Sequence, residues 1–83
     1  MPKHGPRRAV VTFHEVAERQ LALLSDADLE RLDPLLVAIS INPKIGETVP
    51  ESPLLRDYQQ GTARVIYYAT ALGTIIVVAY VEA

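Results

Sequence analysis

The spacing of apolar residues changes twice along the 83-residue chain. The segment Arg8-Ala9-Val10-Val11-Thr12-Phe13 is β-branched and aromatic, and its length suits one short strand. From about His14 the period becomes helical. Val16, Ala17, Leu21 and Leu24 fall on one side of a helix, with Glu15, Glu18, Arg19 and Ala22 on the remainder. Ser25 then has the chemistry of an N-cap, followed three residues later by Asp28. Asp26, Asp28 and Glu30 put negative charge where the dipole of a new helix favours it. That second helix carries Leu29, Leu32, Leu36 and Ile39 as its apolar stripe, widened by Leu35. Pro34 lies inside it. A proline there removes a backbone hydrogen bond and crowds the previous turn, so the helix either kinks or stops and restarts. A kinked continuous helix is the expectation.

Asn42-Pro43-Lys44-Ile45-Gly46 ends the helical stretch, and residues 46–53, with Pro50 and Pro53, read as a loop. Three extended segments follow: Leu54–Tyr58, Ala63–Ala69 after a turn at Gly61, and Thr74–Val81 after a hairpin loop at Gly73. The last is apolar on both faces and suits a central position, with the first strand returning beside it. The predicted order is β-α-α-β-β-β. It describes an α+β fold in which two amphipathic helices cover one face of a small antiparallel twisted sheet. The other face is left open as a working surface.

Composition fixes the scale. Hydrophobic residues make up 49% of the chain, enough for one compact core in a domain of this length. Residues 1–8, with Pro2, Gly5 and Pro6, are expected to form a flexible N-terminal tail, and residues 9–83 a single domain. There is no cysteine, hence no disulfide framework, thiolate metal site or thiol nucleophile. His4 and His14 are poorly spaced for a metal, and no metal or cofactor is expected. The longest apolar run, Ile75–Val81, is far short of the ~20 residues of a membrane span. The basic N-terminus lacks the apolar block of a signal peptide, so the expected location is the cytoplasm, away from membranes. The net charge of −2 is unevenly spread: +3 over residues 1–8, −4 over 9–33 and −1 over 34–83. A mildly acidic total is not that of a general nucleic-acid binder, but it leaves room for a local basic patch.

The familiar catalytic constellations are missing: no phosphate loop, no His-Glu-x-x-His, and serines only at a cap, a helix end and a loop. His14 reads as a helix-start residue. The best cluster lies in the C-terminal strands. Alternation puts Arg64, Ile66 and Tyr68 on one face of their strand, while Arg56 and Tyr58 share a face of the preceding one. Tyr80 lies on the last strand. If Arg56, Arg64, Tyr58 and Tyr68 share the open face, two guanidinium groups stand among aromatic rings. That combination grips phosphates and stacks bases. The alternative is that Arg64 pairs with Asp57 or Glu82 and has only a structural role.

Several stretches together resemble the RelE/ParE toxin superfamily of type II toxin–antitoxin systems. They are Val11–Ala17 with Leu21 and Leu24, Asn42-Pro43, Leu54–Tyr58, Gly61–Tyr68 and the apolar strand Ile75–Tyr80. The match runs over about residues 9 to 81, and Arg64-Val65-Ile66-Tyr67 is its most specific part. The resemblance implies a small twisted antiparallel sheet with two helices on one side. It implies a toxin that inhibits translation through ribosome-dependent, metal-independent cleavage of messenger RNA, and a cognate antitoxin as partner. The alternative is a non-enzymatic member, which either blocks gyrase in the manner of ParE or only binds an antitoxin.

By the same resemblance Arg64 is the sheet arginine that stabilises the phosphate transition state, with Arg56 and Tyr68 as catalytic helpers. Tyr58, Arg64 and Tyr80 would contact RNA. RelE-type enzymes carry further basic, tyrosine or histidine residues after the last strand, where this sequence reads Val81-Glu82-Ala83. A general acid–base pair is therefore not assigned. A homodimer or a toxin–antitoxin hetero-oligomer is the expected assembly.

Overall fold

The structure, a computed structural model, describes residues 8–83, so the expected tail lies outside the described residues except for Arg8. The elements run β1 (Val10–Phe13), α1 (Glu15–Ala22), α2 (Asp26–Ile41), β2 (Glu47–Val49), β3 (Ser52–Gln60), β4 (Ala63–Ala69) and β5 (Ile75–Glu82). Both helices start where side chains satisfy their first free N–H groups. His14 Nδ1 accepts from Val16 N at 3.3 Å, and Ser25 Oγ accepts from Asp28 N at 3.1 Å. Helix α2 runs through Pro34 without stopping and restarting, so of the two alternatives the continuous helix is the one seen. Exposed Arg19–Glu15 and Arg31–Asp28 pairs decorate the helices at i,i+4 and i,i+3 spacing.

The strands form one five-stranded sheet in the order β1-β5-β4-β3-β2. The C-terminal strand is therefore central, and β1 returns beside it. The architecture is the expected α+β one, with two differences of detail. First, β1 pairs with β5 in parallel, which makes the sheet mixed. Second, Glu47–Val49, inside the expected loop, forms a short edge strand antiparallel to β3. The prolines that suggested a loop flank this piece: Pro50 sits in the turn and Pro53 near the start of β3, both clear of the central ladders.

Helix α1 lies over β5 and α2 over β4. The core between layers comprises Ala17, Leu32, Leu35 and Ile39 from the helices and Ala63, Val65, Tyr67, Ile76, Val78 and Val81 from the sheet. The stripe residues Leu32, Leu35 and Ile39 point inward, whereas Val16 and Leu29 lie at the stripe margins and are exposed. Between β4 and β5 the register shifts at Ile66/Tyr67, leaving Ala79 as the extra residue. Beyond the shift, Gln20 Oε1 on α1 accepts a hydrogen bond from Val81 N at 2.9 Å and ties α1 to β5.

Candidate functional site

Cross-strand register decides which side chains share a face, because residues directly opposite one another point the same way. Val65, buried in the core, stands opposite Tyr58, and buried Tyr67 stands opposite Arg56. Arg56 and Tyr58 therefore lie on the helix side of the sheet. Gln59 stands opposite Arg64, and Asp57 opposite Ile66, on the open face. On the far side of β4, Glu82 stands opposite Arg64 and Tyr80 opposite Ile66. The open face thus brings together Arg64, Tyr68 and Tyr80 and separates them from Arg56 and Tyr58. The cluster of two arginines among tyrosines does not assemble.

Arg56 has a different employment. Its Nη1 donates to Gly46 O at 2.7 Å and to Lys44 O at 3.3 Å, pinning the turn after α2 to β3. It lines a cleft of about 630 Å³ at one end of the sheet with Asn42, Lys44, Leu54 and Leu72. Tyr58 is half-buried against the core, and its hydroxyl accepts from Gln60 Nε2 at 2.9 Å.

Arg64 is held by carboxylates on both sides. Its Nε lies 3.1 Å from each Asp57 oxygen and its Nη2 lies 2.6 Å from Asp57 Oδ2. Its Nη1 lies 3.9 Å from Glu82 Oε1. The guanidinium side chain is 37% exposed, so it faces solvent while its fork is occupied. Sequence reading had both outcomes open for Arg64, and the ion pair with Asp57 and Glu82 is the one seen. Hydrogen bonding from Arg64 holds the Asp57 carboxyl below its ordinary value, and the same contact raises Arg64. Tyr80 is pushed up by the interaction of its hydroxyl with Glu82 and by desolvation, so it stays neutral at physiological pH. Tyr68 is exposed beside a shallow apolar depression formed by Pro53, Leu54 and Leu55.

This ion pair has a measurable acid signature. A carboxylate whose folded pKa is depressed adds stability above its unfolded value of ~3.9 and loses it as pH falls through the folded value. Asp57→Asn is therefore expected to lose less stability than the wild type when urea unfolding is repeated at pH 3 instead of pH 7. Equal losses in the two proteins would show that the pair is energetically silent.

The fold has known counterparts. No protein-family model matches the chain. No curated protein matches it either. Solved structures do. One is the toxin–antitoxin complex RelBE2 of Mycobacterium tuberculosis, with a TM-score of 0.79 at 23% identity, covering 90% of this chain and 90% of that one. A second is an arginine-substituted E. coli toxin RelE in complex with an antitoxin RelBc peptide, with a TM-score of 0.75 at 21% identity over 92% of this chain and 86% of that one. The same E. coli toxin in the free state gives a TM-score of 0.75 at 19% identity over 90% and 82%. Over nearly its whole described length, the chain has the fold of the RelE toxins.

Proposed function

We propose that this chain is the toxin component of a type II toxin–antitoxin pair, acting in the cytoplasm and neutralised by a cognate antitoxin. The supporting observation is the whole-length match to a toxin crystallised as a toxin–antitoxin complex, with coverage of 90% on both sides. On this reading the open sheet face is the working surface. Its target is messenger RNA on the ribosome. Arg64 contacts the scissile phosphate, because a guanidinium stays charged and fits two phosphate oxygens. Tyr68 and Tyr80 supply stacking surfaces on the same face. Arg56 and Tyr58, turned to the helix side, act through the fold.

A second reading has its own support. With Asp57 and Glu82 on Arg64, the face offers little free positive charge for a polyanion. A member that binds its antitoxin without cutting RNA, or that blocks gyrase, fits that balance.

Induced expression, alone and together with a candidate antitoxin encoded beside it, tests both. Under the first reading the wild type arrests growth and translation, the antitoxin restores both, and Arg64→Ala relieves the arrest. Arrest with intact messenger RNA and lost supercoiling would replace the ribonuclease by a gyrase inhibitor. If wild-type expression leaves growth untouched, the toxin reading falls.

A further inference from the structure

We propose that Asp57 and Glu82 form an ionic lock on Arg64, so that a phosphodiester gains the Nε/Nη2 edge of the guanidinium only by displacing the Asp57 carboxylate and approaches the Nη1 end only against Glu82. The proposal rests on the reading of the open face as an RNA-binding surface and adds the element that sets its affinity.

The geometry is that of competition for one fork. An arginine offers two donor edges, the Nε/Nη2 side and the Nη1/Nη2 end. Asp57 takes the first edge with contacts of 2.6 and 3.1 Å. Glu82 stands 3.9 Å from Nη1, beside the second. A phosphate entering at either edge meets a carboxylate of like charge. No other cation among the described residues stands on this face to relieve the repulsion. Among the described residues, Arg8 precedes β1, Arg19 and Arg31 lie on the helices, Lys44 is in the turn after α2 and Arg56 faces the helix side. Glu47 on β2, opposite Asp57, adds a further negative charge to the same face.

The lock is also built to persist. Asp57 lies on β3, which is paired on both sides at that position, by Glu47 and by Ile66. Glu82 lies on central β5 opposite Arg64 itself. The three charged groups are therefore fixed by ladder register, with little backbone freedom to separate them. The depressed Asp57 carboxyl keeps its charge throughout the physiological range. The lock does not open by protonation at neutral pH; a competing anion must open it.

The test uses the full chain labelled with 15N and follows by NMR the Arg64 Nε–H resonance and, in every variant including the one without Arg64, the backbone amides of Asp57, Ile66 and Glu82. The probes are inorganic phosphate and a short single-stranded RNA. Wild type, Asp57→Asn, Glu82→Gln and Asp57→Asn/Arg64→Ala are compared. Removing one paired carboxylate is expected to tighten phosphate binding about 10-fold for Asp57→Asn and about 2-fold for Glu82→Gln, the more distant partner. The Arg64→Ala change is expected to abolish the gain. Asp57→Thr, a good strand former, replaces the asparagine variant if that one unfolds.

Equal phosphate affinity in wild type and Asp57→Asn overturns the lock, whatever RNA does. A gain with phosphate but no RNA binding by any variant keeps the lock and rejects the RNA reading. A gain that survives Arg64→Ala overturns the lock, since the anion would then sit elsewhere.

Discussion

Tyr67→Ala is expected to lower folding stability by about 3–5 kcal/mol, the range for truncating a large buried aromatic side chain. In a domain this small, that is most of what holds it folded. Tyr67 is fully buried at the centre of β4. Its hydroxyl donates to Pro43 O at 2.8 Å and accepts from Gly46 N at 3.0 Å. It therefore does two things at once: its ring fills the core and its oxygen satisfies two backbone groups in the turn after α2. Burial raises its pKa above that of an ordinary phenol, so the proton stays available for Pro43.

The phenylalanine variant separates these contributions. Tyr67→Phe keeps the ring and strands both backbone groups, at an expected cost of about 1–3 kcal/mol. Urea midpoints at constant slope measure both variants. A phenylalanine variant as stable as the wild type would show that water or another group replaces the hydroxyl. Gly46 reinforces the contact. A Cβ at this position would lie 3.1 Å from Asp57 O and from the Tyr67 ring and hydroxyl, so the backbone approaches β3 and β4 as closely as it does because no side chain intervenes.

Pro34→Ala is expected to move stability the other way, upward by about 1–2 kcal/mol. A proline in a helix interior costs about 3 kcal/mol relative to alanine, less a few tenths to 1 kcal/mol for its stiffening of the unfolded chain and less whatever a bend relieves. Pro34 and the residue one turn earlier, Glu30, are both exposed, so the carbonyl left without its N–H partner lies on the solvent side. Leu32, Leu35 and Ile39 stay on the sheet whether or not the ring is present. The melting temperature should rise by roughly 4–8 °C per kcal/mol gained in a domain of this size. A variant that melts at or below the wild-type temperature would show that the proline suits the path of this 16-residue helix across the sheet.

Most of this fold was legible because its signals are local. The strand at Val10–Phe13, the caps at His14 and Ser25, the stripe of Leu32, Leu35 and Ile39, and the apolar run of β5 each announce themselves within a few residues. Three features were not legible in this way. Strand β2 is three residues long between loop-forming prolines, and it exists only because β3 offers an edge. The parallel pairing of β1 joins residues more than 60 positions apart, which no window along the chain sees.

The third feature concerns the site. Alternation correctly grouped Arg56 with Tyr58 and Arg64 with Tyr68, yet it could not relate one strand to the next. That relation is set by the turn. Gly61, with φ of 60°, starts a two-residue connection that places Gln60 opposite Ala63. Counting back from that pair sets Arg56 opposite Tyr67 and sends it to the core side. The signal was present in the turn length, and one residue more or fewer would have reversed the answer.

The place of β5 in the sheet governs how the molecule comes into being. Of the five strands, the one latest in the chain is the one that both β1 and β4 require. Until Ile75–Glu82 have left the ribosome, the N-terminal strand has no neighbour to zip onto and both helices lack half of their floor. Vectorial synthesis therefore cannot mature this protein piecemeal. The sheet waits for β5 and then forms through contacts of high sequence separation, a route that is intrinsically slow.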